Sequence, residues 1–337
     1  MDAQKRFEII TKNLQEVIGE DELKAKLKSK KDFTIYWGTA TTGSVSIAYF
    51  FPMLKIADFI NAGCKVKILL ADLHGALDGT PWDILENRYK YYEEAITSIL
   101  KTLGASSKNL SFIKGSELQL NKNYFHDLLK LSTYANVSDA TKASSDVVKQ
   151  NENPKLSGII YPLMQALDEE YLGVDAQFGG VDQRKIMVFA RENLPKVGYK
   201  PRIELMNPMI RGLVGEKMSS SNASSKIDLM DDEETVKKKI NGAECIAGDP
   251  NNGIMALSEY LIFVLKNDKK ETLIISRPEK FGGNLEYKDY KSLEKDFISK
   301  KLHPLDLKNA VAGELNKILT EIRKNKALKK LYEKAYS

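Results

Sequence analysis

The sequence predicts an α/β fold with a parallel sheet, followed by a mostly helical C-terminal part. Short β-branched or aromatic runs, typical of buried strands, alternate with stretches of helical periodicity. The helical stretches are long enough, at about a dozen residues or more, to carry the chain back for a second parallel strand. From about residue 230 the strand signals thin out and lysine-rich helical segments follow. A length of 337 residues fits two domains at roughly 100–200 residues each.

The predicted elements follow in chain order. Apolar residues at helical spacing predict one or two amphipathic helices in the first thirty residues. Four strands are predicted at 34–37, 66–71, 110–113 and 174–178. Between them lie an apolar helix ending near Gly63 and a long helix over 82–103, closed by Gly104. We expect the domain boundary near residues 226–232, after a Ser/Asn-rich loop.

Composition excludes several classes of protein. Hydrophobic residues make up 42% and charged residues 29%, which argues against disordered, collagen-like and membrane proteins. A net charge of +5 permits a polyanionic partner without requiring one. Two cysteines cannot form a disulfide framework or a zinc knuckle, which favours a reducing compartment. The N-terminus has no apolar signal core, and no apolar run is long enough for a bilayer, so we expect a cytoplasmic protein without membrane contact.

The loop from Gly38 to Ser44 follows the first predicted strand. In a doubly wound sheet, ligands lie beyond the carboxyl ends of the strands, and small residues let backbone N–H groups approach an anion. The loop matches neither a Walker sequence nor a dinucleotide fingerprint. Both a phosphate cradle and a plain strand-to-helix turn therefore remain open.

Two further patterns carry polar chemistry. Lys217 lies in a loop rich in glycine and serine, where its ammonium could reach a phosphate; the alternative is an exposed polar linker. Tyr161, Gln165 and Asp168 have the spacing i, i+4 and i+7, so they share one face of an otherwise apolar helix. That face is either a polar ligand site or a helix edge that meets water.

Six segments of the chain form a recognisable set. They are Ile-Tyr-Trp-Gly-Thr-Ala-Thr-Thr-Gly (35–43), Leu-Leu-Ala-Asp-Leu-His (69–74), Tyr-Pro-Leu-Met-Gln-Ala-Leu-Asp (161–168), Phe-Gly-Gly-Val-Asp-Gln-Arg-Lys (178–185), Lys-Met-Ser-Ser-Ser (217–221) and His-Pro-Leu-Asp-Leu-Lys-Asn-Ala (303–310). Together they resemble the class I tyrosyl-tRNA synthetases of the archaeal and eukaryotic cytosolic kind. The resemblance implies a Rossmann-like catalytic domain over residues 1–228 and a helical anticodon-binding domain over 229–337. It also implies a homodimer, with a helix over 122–133 where the family dimerises.

The resemblance further implies a reaction, its substrates and its site residues. The substrates would be L-tyrosine, ATP with Mg²⁺, and tRNA(Tyr), joined through a tyrosyl-adenylate, with no metal bound tightly by the protein. Tyr36 and Asp168 would bind the phenol hydroxyl, and Tyr161, Gln165 and Gln183 the α-amino group. The residues implied for ATP are Gly38, Thr39, Gly43, Lys217, Ser219 and Ser220, with Lys217 as the catalytic cation on the pyrophosphate side.

Three residues of the C-terminal part match positions that the family uses to bind the anticodon: Phe281, His303 and Asp306. An unpaired base can stack on an aromatic ring while a carboxylate reads its edge. The alternatives are that Phe281 belongs to a core and that His303-Pro304 simply opens a helix. His74 and His126 are expected to be structural or to line a pocket, since their surroundings lack metal-ligand spacing.

One segment departs from the family pattern. Ser46 stands where the family has the first histidine of its signature, and Ser44-Val45 replaces the usual basic residue and proline. A serine hydroxyl donates one hydrogen bond, reaches less far than an imidazole and carries no charge. Losing one transition-state donor costs on the order of 3 kcal/mol, about a hundredfold in rate. The alternative function is therefore a catalytically impaired relative that binds tyrosine or RNA as a regulator. Only one basic residue, Lys142, lies in the acceptor-stem region 136–145, which also favours that alternative.

Overall fold

The computed structural model describes residues 1–29, 31–147, 155–215 and 225–336. In the first half of the chain the elements are α1 (Ala3–Thr11), β1 (Glu16–Ile18), α2 (Glu20–Lys28), β2 (Thr34–Ala40), α3 (Phe50–Asn61), β3 (Lys65–Ala71), α4 (Asp72–Leu77), α5 (Leu85–Thr102), β4 (Leu110–Lys114), α6 (Gly115–Gln119), α7 (Lys122–Ser132) and α8 (Val137–Ser144). A loop of six residues separates β2 from the 3₁₀ turn Ile47–Tyr49, which leads into α3.

The second half continues with α9 (Ser157–Tyr171), β5 (Ala176–Gly180), α10 (Arg184–Asn193), β6 (Ile203–Asn207), α11 (Glu233–Gly242), α12 (Gly253–Leu257), α13 (Phe263–Lys269), β7 (Leu273–Ile275), β8 (Leu285–Tyr287), α14 (Tyr290–Ile298), α15 (Pro304–Arg323) and α16 (Lys326–Tyr336). The expected α/β organisation, with a mostly helical part after residue 230, is confirmed. Within the described ranges, no helix combines the length and apolar character needed to cross a bilayer.

The central sheet has six strands in the order β1-β6-β5-β2-β3-β4. All neighbours are parallel except β1, which runs antiparallel to β6. The chain builds outward from β2 through β3 to β4, and then returns to place β5 and β6 on the other side of β2. The strand order therefore reverses between β2 and β5, and such a reversal opens a ligand crevice at the carboxyl ends of the strands.

The four predicted strands are present, but β1 and β6 were missed. β1 has three residues between two helices and gains its pairing only from β6, so no local apolar run announces it. β6 carries the charged residue Glu204 in its second position although the strand is buried, which breaks the apolar pattern of a parallel strand. The predicted helices of the first thirty residues are present as α1 and α2, and only the strand between them was missed.

The hydrophobic core is continuous from the sheet into the C-terminal helices. The last helix, α16, packs back on α5: the Tyr91 ring lies 5.3 Å from the ring of Tyr336, and Arg88 donates from Nε to the carbonyl of Ala335 at 2.7 Å. A two-stranded antiparallel ribbon, β7-β8, is the only sheet among the described residues after residue 229. The division into domains at residue 228 stays a prediction.

Candidate active site

A cavity of about 360 Å³ opens at the carboxyl ends of β2 and β5, where the strand order reverses. Its wall includes the predicted tyrosine-site residues Tyr36, Tyr161, Gln165, Asp168 and Gln183. It also includes four residues of the signature segment: Gly38, Thr39, Ser44 and Ser46. The fold thus brings together side chains that are up to 147 positions apart in the sequence, as between Tyr36 and Gln183.

Asp168 lies at the closed end of this cavity and is 1% exposed. Gln119 donates from Nε2 to both carboxylate oxygens, at 2.9 and 3.0 Å. The Tyr124 hydroxyl shares its proton between Asp168 Oδ1, at 2.9 Å, and the carbonyl of Met164, at 2.7 Å. Burial raises the pKa of Asp168 to about 7, while the hydrogen bonds from Gln119 and Tyr124 act in the opposite direction. The carboxylate is thus held in one orientation by neutral donors.

Tyr36 projects from β2 into the same closed end. Its side chain is 1% exposed, and its hydroxyl has no hydrogen-bond partner among the described residues. Burial raises the pKa of Tyr36 well above its usual value, and the charges of Glu169 and Asp168 add to that increase, so the hydroxyl stays protonated. A buried hydroxyl without a hydrogen-bond partner destabilises the protein unless a ligand supplies that partner.

Gln119 and Tyr124 are functional candidates that the sequence analysis missed. Gln119 ends α6, a short helix directly after β4, and Tyr124 lies in α7. The carboxyl end of β4 was a place to look, because ligand-binding groups gather at the carboxyl ends of parallel strands. The contact of Tyr124 with Asp168 had no such signal, because it spans 44 positions between two helices.

His74 lines the cavity, which agrees with the expectation that it is either structural or lines a pocket. Its ring meets the ring of Tyr161 edge to face, with centroids 4.5 Å apart, and its Nδ1 is 3.2 Å from Gln119 Nε2. Burial lowers the pKa of His74 to about 4, so the ring is neutral at pH 7. His126, in contrast, is exposed outside this cavity and lies beside Asp127.

The mouth of the cavity carries the groups predicted for an amino group. Gln165 donates from Nε2 to Gln183 Oε1 at 3.2 Å, which ties α9 to the turn after β5. Tyr161 is 8% exposed and lies one helical turn before Gln165. Asp78 and Asp182 also line this part, and their charges help raise the pKa of Tyr161. An ammonium group would meet acceptors and negative charge here.

The glycine-containing segment differs from its prediction as a loop. β2 continues through Ala40, because Gly38–Ala40 pair with Leu69–Ala71 of β3, so Gly38 and Thr39 belong to the strand. Thr39 Oγ1 lies 3.0 Å from the Tyr49 hydroxyl. The carbonyl of Gly43 accepts from Tyr92 at 2.5 Å and from Tyr336 of α16 at 2.6 Å, which fixes the segment from two sides.

Ser44 and Ser46 are held by the segment that follows the Ser/Asn-rich loop. Lys226, 4% exposed, donates from Nζ to Ser44 Oγ at 2.7 Å and pairs with Asp228 at 2.8 Å. Ser46 forms an isolated bridge with Asp228, and its hydroxyl accepts from the N–H of Ala48 at 3.4 Å. The Ser46 side chain is therefore used as a helix cap and is 5% exposed.

The predicted cation and hydroxyls Lys217, Ser219 and Ser220 lie outside the described residues. The two ends of their segment are close together, because Leu213 donates from its N–H to the carbonyl of Ser225 at 3.1 Å. Among the described ranges, no three His, Cys, Asp or Glu side chains converge as a metal site would require.

The predicted anticodon residues lie at one end of the helical part. Phe281 is 60% exposed, so its alternative as a core residue is wrong. His303 does open a helix: its Nδ1 accepts from the N–H of Leu305 at 3.2 Å at the start of α15, with Asp306 in the first turn. Arg277 donates to the carbonyls of Gly283 and Lys301, which brings the turn around Phe281 next to the segment before His303.

A parallel sheet with a reversal of strand order and a polar cavity at that point define a Rossmann-like, ligand-binding α/β protein. Residues 28–320 match the family model described as tRNA synthetases class I (W and Y). The chain belongs to this family.

Its relatives are tyrosine-specific by name. The chain is 52% identical over 339 residues to the cytoplasmic tyrosine–tRNA ligase of Gallus gallus, covering 99% of this chain but only 63% of that relative. It is 47% identical to the corresponding protein of Saccharomyces cerevisiae, across 100% of this chain and 89% of that relative. The crystal structure of tyrosyl-tRNA synthetase from Archaeoglobus fulgidus, complexed with L-tyrosine, superposes with a TM-score of 0.86 at 36% identity, covering 96% of this chain and 99% of that one.

Proposed function

We propose that this chain is a tyrosine–tRNA ligase, which joins tyrosine to tRNA(Tyr) through a tyrosyl-adenylate. One observation carries the proposal: the closed end of the cavity holds a buried donor without a partner, the Tyr36 hydroxyl, and a buried acceptor, Asp168. The phenol hydroxyl of a tyrosine substrate can donate to the Asp168 carboxylate and at the same time accept from the Tyr36 hydroxyl. Phenylalanine would leave the Tyr36 hydroxyl without a partner and would bring no donor to Asp168, and tyrosyl-tRNA synthetases are the standard example of such discrimination.

The rest of the cavity suits the activated amino acid. Tyr161, Gln165 and Gln183 would bind the α-amino group near Asp78 and Asp182. The substrate carboxylate, already ionised at neutral pH, would attack the α-phosphorus of ATP, so no general base is needed for this step. Catalysis would come from position and from donors and cations on the phosphates.

ATP would lie along the segment from Gly38 to Ser46, with Mg²⁺ accompanying its phosphates. Gly38 and Thr39 form the cavity wall at the end of β2, and Gly43 is held by two tyrosine hydroxyls. Lys217, with Ser219 and Ser220, would approach from the segment between Gly215 and Ser225 as the cation on the pyrophosphate side. A lysine ammonium is a compact charge that suits this role.

tRNA and a second copy of the chain are the expected macromolecular partners. The exposed ring of Phe281, with His303 and Asp306 nearby in the fold, would bind unpaired anticodon bases. On α7, Phe125 and Leu129 are 58% and 55% exposed and lie one turn apart, which makes an apolar stripe for a homodimer. We propose that the activity is cytoplasmic, because the relative from Gallus gallus is named as the cytoplasmic ligase.

One observation favours a second candidate, the catalytically impaired regulator. Ser46 stands in place of the histidine, is almost buried, and has its hydroxyl oxygen turned back to cap the turn before α3, where it accepts from the N–H of Ala48 at 3.4 Å. Its neighbour Ser44 is neutral and bonded to Lys226. The tyrosine pocket is complete in both candidates, so only catalysis separates them.

Exchange of radioactive pyrophosphate into ATP, with and without tyrosine, separates the two candidates. Tyrosine-dependent exchange is expected, with aminoacylation of tRNA(Tyr) as the second measurement. Equilibrium dialysis with labelled tyrosine is run on the same preparation. If tyrosine binds but no exchange occurs, even at high protein concentration, only the regulator remains as a candidate function. The absence of both tyrosine binding and pyrophosphate exchange would refute both candidates.

A further inference from the structure

A row of buried polar side chains crosses the sheet behind the proposed substrate ring. Tyr36, Gln177 and Glu204 are register partners on β2, β5 and β6, so their side chains lie on the same face of the sheet. The C-terminal end of α9 covers this face, where Leu172 packs in one cluster with Tyr36. α9 adds Glu169, directly after Asp168 in the sequence.

Glu169 and Glu204 are both 0% exposed. None of their four carboxyl oxygens has a hydrogen-bond partner among the described residues, and Gln177 Oε1 lacks one as well. An ionised carboxylate in such a place is strongly disfavoured, because it loses its hydration without gaining donors. Burial accordingly raises the pKa of both groups, and the charge of Glu169 adds to the increase at Glu204.

The charged neighbours do not provide those donors. Arg191 of α10 pairs with Glu22 of α2 at 3.2 Å and donates to the carbonyl of Arg202. Arg202, just before β6, pairs with Glu170 at 2.5 Å. The two arginines lower the pKa of Glu169 without reversing the effect of its burial. The terminal nitrogens of both guanidinium groups thus pair with more exposed carboxylates, while Arg202 Nε is buried and bonds to neither glutamate.

Asp168 has the opposite surroundings at the same depth. It accepts three hydrogen bonds from Gln119 and Tyr124, and these favour its ionised form. Three carboxyl groups therefore lie behind one ring, and only one of them is supplied with donors. Negative charge placed on Glu169 would also raise the pKa of Asp168, because the two charges repel each other, and would weaken Asp168 as an acceptor.

We propose that Glu169 and Glu204 are protonated at neutral pH and act as positioning residues, which keep the single negative charge behind the substrate ring on Asp168. Their O–H groups also supply donors to a cluster of oxygens that has none. The effect on substrate rests on the proposed function, because it requires a phenol that donates to Asp168. The protonation itself can be measured on the free protein.

Infrared difference spectroscopy at pH 7 tests the protonation directly. A protonated carboxylic acid has its own carbonyl stretching band, which shifts in D₂O. We expect that band to weaken in Glu169→Gln and in Glu204→Gln relative to the wild type. The matched control is Glu170→Gln, which removes the carboxyl group that pairs with Arg202, one residue further along α9. An unchanged band in both variants, or loss of the band in the control alone, overturns the assignment.

The pH dependence of tyrosine binding tests the positioning role. Dissociation constants are measured from pH 6.5 to 9 for wild type and Glu169→Gln, and their ratio cancels the titration of tyrosine itself. We expect the wild type to bind more weakly than the variant by up to about twofold near pH 7.5, with the difference vanishing towards pH 9, because a charge on Glu169 raises the pKa of Asp168 by about one unit and so delays its ionisation. A constant ratio overturns the role.

Thermal unfolding distinguishes the remaining possibility, an ionised Glu169 that pairs with Arg202. In that case Glu169→Gln would lower the melting temperature at pH 8 more than at pH 5, and this result would overturn the proposal. We expect the reverse, because the variant removes a carboxyl that resists ionisation at the higher pH. If no tyrosine binds at any pH, the proposed function fails, while the infrared measurement still decides the protonation.

Discussion

Replacing Asp168 with asparagine should reduce discrimination between tyrosine and phenylalanine without unfolding the protein. The new amide has the same size, and its oxygen can still accept from Tyr124. Its NH₂ group would face Gln119 Nε2, donor against donor. Rotation of the Gln119 amide removes this conflict, because its Oε1 is buried and has no partner among the described residues. The variant Asp168→Asn can therefore keep its internal hydrogen bonds.

The size of the effect follows from the charge that is lost. Hydrogen bonds to charged groups contribute about 1.5–3 kcal/mol and neutral ones about 0.5–1.5 kcal/mol, a difference of about 1–1.5 kcal/mol. We expect kcat/KM for tyrosine to fall about tenfold. Phenylalanine covers the buried Asp168 carboxylate without adding a donor to it, at a cost of roughly 1–3 kcal/mol in the wild type, and the neutral amide relieves part of that penalty. Together, discrimination should fall about a hundredfold.

Pyrophosphate exchange at pH 8 gives kcat/KM for both amino acids. The matched control is Asp175→Asn, the same change at a carboxylate that accepts from Thr34 at the other end of β2. Because the pKa of Asp168 is about 7, the wild type should also lose discrimination between pH 8 and pH 6, and the variant should not. An unchanged tyrosine-to-phenylalanine ratio in Asp168→Asn, with a normal melting curve, would refute the assignment of the phenol site.

Three further predictions concern catalysis, assembly and stability. Ser46→His should raise the rate of pyrophosphate exchange about a hundredfold, since it restores a transition-state donor; an unchanged rate would mean that another group already fills that place. Phe125→Asp should convert a dimer to monomers in analytical ultracentrifugation, because it puts a charge into the apolar stripe on α7; a persistent dimer would place the interface elsewhere. Asp168 keeps a proton between pH 4 and 7 that the unfolded chain releases, so it lowers the free energy of unfolding by about 1.4 kcal/mol per pH unit as pH rises there. His74 acts in the opposite direction up to pH 6.5, because only the unfolded chain binds its proton. Between pH 5 and 7, urea titrations should show a smaller fall in the free energy of unfolding for Asp168→Asn than for the wild type, by about 1.4 kcal/mol per pH unit, while Glu169 and Glu204 still contribute to the fall.

Much of the site was accessible from sequence because its signals are local. The face shared by Tyr161, Gln165 and Asp168 follows from helical spacing, and the structure has these residues in one helix, α9, along one cavity. The four central strands are β-branched runs between helices, and their parallel pairing follows from the length of those helices. Tyr36 could be assigned to a ligand only through the family resemblance, since a tyrosine in a buried strand is more often core.

What the tertiary structure alone decides is which distant groups meet. The donors that hold Asp168 come from α6 and α7, 49 and 44 positions away, and no spacing rule connects them to α9. β6 is recognisable as a strand only when β5 and β1 pair with it, because Glu204 interrupts its apolar pattern. The state of charge of Asp168, Glu169 and Glu204 depends on burial and on hydrogen-bond donors. Burial and these donors arise only when the helices pack over the sheet, so carboxyl groups that are chemically alike in the unfolded chain have different pKa values in the fold.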